Sequence, residues 1–170
     1  MSGNEQSIQT YKEIMGSYPT GVTVITTNNQ EGYPIGMTVN SFTSVSVDPL
    51  LISWSIRKDA TEFDDFIKAD QFIVHILDGD NTDIAYRFAS KDKSNRFNET
   101  NWHYSKQQLP ILEHVYAVME CKTVNQFEAG DHIIIIGEVQ RMEKLTDTPM
   151  LYYKREMGHI PFDWAKAGKV

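Results

Sequence analysis

A mainly β fold, a barrel carrying a few short helices on its flanks, is what this sequence predicts. Three observations point there. Strand-like runs rich in Val, Ile and Thr fall in two blocks separated by turn signals. Only three short stretches show helical spacing. Helices and strands do not alternate regularly, which argues against a doubly wound α/β sheet.

Taken in order, Ile8, Tyr11, Ile14 and Met15 have helical spacing, and the pattern stops before Tyr18-Pro19. Val22 to Thr27 is a β-branched strand ending in the turn Asn28 to Gly32, and Ile35 to Val39 is its return. Leu50 to Ile56 alternates from Ile52 onward as a half-buried strand does. Thr61 to Lys68 puts Phe63, Phe66 and Ile67 on one helical face, behind Asp59 or Thr61 as a cap. Gln71 to Leu77 is a further strand. Asp80 to Ala89 reads as a helix with Ile84, Ala85 and Phe88 inward and Asp80 and Asp83 at its positive end. Tyr116 to Phe127 and His132 to Val139 form a long hairpin turning at Glu128 to Asp131, with Ile133 to Ile136 apolar enough to be buried on both faces.

At 170 residues, with 41% apolar and 23% charged residues, the chain suits one globular domain over 1–170, with a core at about 10–155 and a C-terminal tail at 156–170. The single cysteine, Cys121, excludes a disulfide framework and any multi-cysteine metal site, and a lone strand cysteine reads as an inert hydrophobe. No metal site is expected, because the five histidines never pair at ligand spacing. The net charge of −7 argues against nucleic acid and anionic membranes as partners. No run approaches the roughly 20 apolar residues that span a bilayer, and Met1 to Gln6 lacks signal-peptide features, so a cytoplasmic protein is expected.

The charge is uneven. Residues 1–85 hold 4 Lys or Arg against 12 Asp or Glu, so Arg57-Lys58 is the one cationic pair in an acidic half. It is either a phosphate site or a solvated strand end. The basic stretch Arg87, Lys91, Lys93 and Arg96 likewise reads as a diphosphate site or a solvated loop. Gly36 to Ser46 is rich in hydroxyls between two apolar strands. It is a polar edge strand or loop, or a segment whose amides and hydroxyls meet a flat heterocycle while Met37 and Val39 cover a face. Dinucleotide, P-loop, nucleophile-elbow and zinc-protease motifs are all missing from the chain.

Tyr18 to Thr27 followed by Gly36 to Pro49 resembles the opening of the flavin reductase family, the short-chain partners of two-component flavin monooxygenases. Later matches keep the family's order: Phe72 to Leu77, Ala85 to Ala89, Glu120-Cys121, Gly130-Asp131-His132, Ile136 to Val139 and Leu151-Tyr152-Tyr153. The resemblance covers roughly residues 10–155 and implies an FMN-binding split barrel. It implies NAD(P)H-dependent reduction of FMN or FAD, a monooxygenase that receives the reduced flavin, and a homodimer.

Carried over by residue, the resemblance puts Pro19 and Thr20 at the border of the flavin groove. Met37, Thr38, Val39, Asn40 and Ser41 would line the isoalloxazine. Ser55, Ile56, Arg57, Lys58 and Thr61 would hold the ribityl chain and phosphate, and Arg87-Phe88 matches a further cofactor element. His132, in the Gly-Asp-His turn, is the candidate catalytic residue, facing the nicotinamide. Three positions depart from the pattern: His75 stands where Asn is common, Trp54 replaces an aliphatic residue, and Lys154 to Gly158 lacks the family's glycine-rich ending. The alternative reading is an FMN-binding split-barrel flavoprotein, an electron carrier or ligand-binding module without NAD(P)H turnover.

Overall fold

The first β-branched run and its return form a hairpin in the computed structural model, which describes residues 3–165. Helix α1 (Gly3–Gly16) precedes β1 (Thr23–Asn28) and β2 (Pro34–Val39). Next come β3 (Thr43–Val47), β4 (Leu50–Arg57), α2 (Phe63–Lys68), β5 (Gln71–Ile76) and α3 (Thr82–Ala89). Short strands β6 (Trp102–Tyr104) and β7 (Pro110–Leu112) pair with each other before the long β8 (Ala117–Ala129) and β9 (His132–Lys144). The hairpin of β10 (Met150–Tyr153) and β11 (Glu156–His159), then α4 (Phe162–Ala165), complete the described chain.

Seven strands make one antiparallel sheet in the order β2-β1-β5-β8-β9-β4-β3. Its two edges, β2 and β3, are consecutive in sequence, joined only by Asn40, Ser41 and Phe42. A link that short reaches about 14 Å at full extension, so the sheet must roll until its edges nearly meet. The edges do not pair, which leaves a barrel split between them. The hydroxyl-rich segment 36–46 is therefore neither one strand nor one loop: it supplies parts of both edges and the link across the split.

The interior is filled by Ile25, Val39, Ile52, Trp54, Ile56, Phe72, Val74, Cys121, Ile133 and Ile135, with Phe66 of α2 entering from outside. Trp54 is a core residue, 5.3 Å from the Phe66 ring and 5.7 Å from Phe72. A second core lies on the other face of β1 and β5, where Val22, Val24 and Ile73 meet Ile84, Ala85 and Phe88 of α3. Gly36 and Gly137 mark close approaches: a Cβ on Gly36 would sit 2.8 Å from the Phe88 ring, and one on Gly137 2.5 Å from Phe72.

Three expectations are corrected. The α2 helix starts at Phe63, with Glu62 rather than Asp59 or Thr61 at the cap position and no side-chain cap bond. Glu62 takes that place because it is held by an ion pair described below. In the isoleucine run only Ile133 and Ile135 are buried, since Ile134 and Ile136 point to an outer face that the described residues leave half covered. Asp80 lies in the turn before α3, where it holds His159 Nε2 at 2.8 Å. The stretch from Glu156 begins as β11, and Met157 packs against the second core; residues 166–170 lie outside the described residues. No described helix is long and apolar enough to cross a membrane.

His75 is fully buried, and its bonds define its tautomer. Its Nδ1 lies 3.1 Å from the Val24 carbonyl and so donates, while Nε2 accepts the Leu112 N–H at 3.0 Å. Burial lowers its pKa to about 4 although the Val24 bond opposes the shift. An unfolded histidine titrates near 6.5. Between those values the unfolded chain binds the proton and the folded chain does not. Stability therefore falls as pH drops from about 6.5 to about 4, by about 3 kcal/mol in all. Urea unfolding across that window should show a slope that the non-titrating His75→Asn variant lacks. Equal slopes in both proteins would mean that His75 does not carry it.

Candidate active site

With Ile52, Trp54 and Ile56 turned inward, β4 presents Ser53, Ser55 and Arg57 on its outer face. The same alternation on β9 presents His132, Ile134 and Ile136. The register sets Ser53 opposite Ile136, Ser55 opposite Ile134 and Arg57 opposite His132. A patch of half-buried hydroxyls beside half-buried aliphatics thus ends in a cation and an imidazole.

Short bonds fix its edges. Ser41 Oγ accepts the Ser55 N–H at 3.0 Å and lies 3.3 Å from the Ser55 carbonyl, which pins the edge-to-edge link beside the patch. The Lys58 N–H donates to the Asp131 carbonyl at 2.9 Å, joining the end of β4 to the β8–β9 turn. Gly130, at φ 62°, makes that turn in a conformation that favours glycine. His132 Nδ1 lies 2.8 Å from Asp131 Oδ1. This bond, with the nearby charges of His132 and Arg57, holds the Asp131 carboxyl below its usual range. It also leaves Nε2 of the ring directed elsewhere.

Arg57 holds Asp59 at 2.7 Å and Lys58 holds Glu128 at 3.0 Å. Both pairs face solvent, where an ion pair is worth about 0–1 kcal/mol. A doubly charged phosphate can therefore draw both cations away from their carboxylates.

Residues 15–161 match the family model described as the flavin reductase like domain. The chain belongs to that family. It is 37% identical over 150 residues to the NADH-dependent FMN reductase SmoA of Agrobacterium fabrum, covering 88% of this chain and 84% of that protein. It is also 37% identical over 147 residues to the reductase component of the flavin-dependent trigonelline monooxygenase of Acinetobacter baylyi. That match covers 86% of this chain but only 47% of the relative. Among solved structures, the NADH:FAD oxidoreductase SgcE6 of Streptomyces globisporus, in complex with NAD and FAD fragments, superposes with a TM-score of 0.84. There the identity is 29%, with 96% of this chain and 98% of that one covered.

Of the residues singled out by family resemblance, the structure gathers Asn40, Ser41, Ser55, Arg57, Lys58 and His132 around one patch. Asn40 and Ser41 are exposed there. Thr61 is exposed in the turn ahead of α2. Pro19 and Thr20 approach β1 at the sheet end shared with Asn40, since Thr23 pairs with Val39. Thr20 is bridged to Tyr152 by two backbone bonds of 3.0 and 2.7 Å.

Other carried-over residues turn inward or lie apart from the patch. The Ile56 and Phe88 side chains are buried, at 0% and 1% exposure. Val39 is buried in the barrel core, and half-buried Met37 packs against it. Thr38 donates to the Ala85 carbonyl at 2.7 Å, which fastens β2 to α3. Arg87 bonds Thr100 Oγ1 at 2.8 Å and Asp83 at 3.2 Å, in a separate recess with Asn101 and His114.

The basic stretch 87–96 is mixed: residues 89–95 are exposed, as a solvated loop is, while Arg96 is not. Arg96 is buried, bonding Glu62 and the Gly36 and Ser90 carbonyls, each at 2.6 Å, and Lys93 reaches Glu62 at 2.9 Å. Cys121 is buried, and its thiol is pushed up to about 12 by that burial and by the Glu120 charge. Sequence reasoning missed Asp131 as the partner of His132, although its adjacency in the turn was a usable signal. It also missed Asp59, a local partner two residues from Arg57, and Glu128, whose role follows from strand register that no local pattern reveals.

Proposed function

We propose that this protein is an NAD(P)H:flavin oxidoreductase whose flavin lies on the outer face of β4 and β9, with its phosphate on Arg57 and Lys58. The observation that carries this reading is the register of Arg57 against His132 at the end of a Ser-and-Ile patch, in a chain of the flavin reductase family. FMN or FAD, when bound, supplies a ring that accepts a hydride from NADH or NADPH.

The residues present fit that group. Ser53, Ser55 and the exposed Asn40 and Ser41 offer hydrogen bonds to a polar ring edge, and Ile134 and Ile136 offer an apolar face. His132, oriented by Asp131, directs Nε2 to where a nicotinamide carboxamide would stack. Its role is to orient, since direct hydride passage depends on stacking and alignment more than on proton transfer.

The expected result is flavin-dependent NADH oxidation at 340 nm by the purified protein. His132→Asn should lower kcat/KM for NADH about tenfold, the value of one net hydrogen bond of about 1.4 kcal/mol, with FMN affinity unchanged. Retained yellow colour without turnover would identify an electron carrier instead. Loss of FMN binding in His132→Asn would place His132 in the flavin pocket rather than on the nicotinamide side.

The product fits a partner oxygenase, as the trigonelline monooxygenase component among its relatives suggests, and consumption of NADH suits the cytoplasm. A second copy of the chain is the proposed cover for the outer apolar face. Ile134 and Ile136 are only half buried there, and Phe127, opposite Ile134 on β8, is 51% exposed. That face continues into the Arg57–His132 patch, so a homodimer would border the flavin site.

A further inference from the structure

A pocket of about 200 Å³ lies between the end of α1 and the turn of the β10–β11 hairpin. Lys12, Glu13, Gly16 and Ser17 line one side of it, and Lys154 and Arg155 the other. Three cations thus share it with one carboxylate, in a chain whose net charge is −7. Glu13 is engaged along the helix, where Gln9 Nε2 donates to its Oε1 at 3.0 Å. Among the described residues no carboxylate pairs with Lys12, Lys154 or Arg155, and none of the three side chains donates a hydrogen bond. By contrast Arg57, Lys58, Arg87, Lys93 and Arg96 each hold a carboxylate. The carbonyl end of α1 disfavours an anion, but its partial charge of about half a unit is outweighed by three full ones.

The turn itself points the same way. Tyr153 pairs with Glu156, so Lys154 and Arg155 are the whole of a two-residue turn, at φ 50° and 67°. Such a turn favours Asn-Gly, because a side chain in the left-handed region crowds the following carbonyl. Two long cations stand there at a conformational cost, with no ion-pair partner among the described residues to offset it. An aromatic surface adjoins them. Tyr153 is 43% exposed with the Lys154 ammonium 5.3 Å from its ring centroid, and Tyr18, next to Ser17, is 61% exposed. Unpaired cations bind phosphate and exposed aromatic rings stack bases, so the combination suits a nucleotide better than a bare anion. The hairpin also ties the pocket to the patch described above. Tyr152 is bonded to Thr20, at the sheet end shared with Asn40, and Lys154 lies two residues on, about 7 Å at full extension. We propose that this pocket holds the adenosine diphosphate half of a dinucleotide, its phosphates on Lys12, Lys154 and Arg155 and its adenine on Tyr153. That the dinucleotide is NAD(P)H or FAD rests on the reductase reading; FMN has no such half.

The test is calorimetric titration of the full chain with ADP, and with adenosine as the probe that lacks phosphate. The variant Lys154→Asn, Arg155→Gly removes both charges and supplies the residues that the turn favours, so its Tm should equal or exceed that of the parent. Its ADP dissociation constant should rise at least about tenfold while that for adenosine holds. Lys12→Gln should weaken ADP as well, from the other wall of the pocket, and Lys154→Arg should preserve it. Two arms then identify the source. If NADH supplies the adenosine half, the variant's kcat/KM for NADH with FMN falls about tenfold, through KM rather than kcat. If FAD supplies it, the variant's FAD affinity falls about tenfold while its FMN affinity holds. Absence of ADP binding to the parent at about 10 mM, equal ADP affinity in parent and variants, or equal loss of ADP and adenosine would each overturn the proposal. ADP binding requires no turnover, so a protein that binds ADP here yet oxidises no NADH keeps the pocket and loses the reductase reading, and turnover without ADP binding does the reverse.

Discussion

Replacing Arg96 with Ala is expected to destabilise the fold by about 3–5 kcal/mol, the loss found when one partner of a buried ion pair is removed. For a domain of this size that lowers Tm by about 6–20 °C. Arg96 and Glu62 are each 6% exposed, and three bonds of 2.6 Å join the guanidinium to Glu62, Gly36 and Ser90. The Ala variant leaves two carbonyls without that donor and Glu62 with Lys93 alone, at 2.9 Å. The pair gathers the start of α2, edge strand β2 and the segment after α3, so its loss loosens the split side of the barrel. Because the penalty lies in the orphaned charge, Arg96→Met combined with Glu62→Gln should recover part of the loss. Urea unfolding decides the matter: an Arg96→Ala variant within about 1 kcal/mol of the parent would show that the pair contributes little net stability.

Arg96 also shows where sequence reading stops. It sits in a basic stretch, and a run of Lys and Arg reads as a ligand site or a wet surface unless a carboxylate is known to face it. Glu62 lies far off in sequence, and only the rolling of the sheet brings the two together. The isoleucine run teaches the same lesson. Its apolarity identified a strand, but whether both faces are covered depends on what lies over Ile134 and Ile136. By contrast, the β1–β2 hairpin, the Gly130 turn and the inward face of α3 were legible, because each rests on residues within a few positions of one another. The family resemblance names positions without saying which way each side chain turns, and at Ile56, Phe88 and Val39 the side chain is buried.

The double variant Arg57→Ala, Lys58→Ala is expected to bind FMN at least about tenfold more weakly, and about 150-fold more weakly if each phosphate bond contributes about 1.5 kcal/mol. The lower end is the safer figure, because the Arg57 and Lys58 side chains are 60% and 39% exposed and water screens them. Folding should be unaffected, since the pairs broken, with Asp59 and Glu128, are exposed ones of about 0–1 kcal/mol. Riboflavin, which has the same ring and ribityl chain but no phosphate, supplies the control. Its affinity should be equal in the two proteins, so the FMN-to-riboflavin ratio isolates the phosphate contribution. Added salt should narrow the difference between parent and variant for FMN and leave riboflavin unmoved. If the variant loses both ligands together, Arg57 and Lys58 shape the groove rather than hold the phosphate. If it loses neither, the phosphate lies elsewhere, and the outer face of β4 and β9 must give up that half of its assignment while the His132 prediction stands on its own.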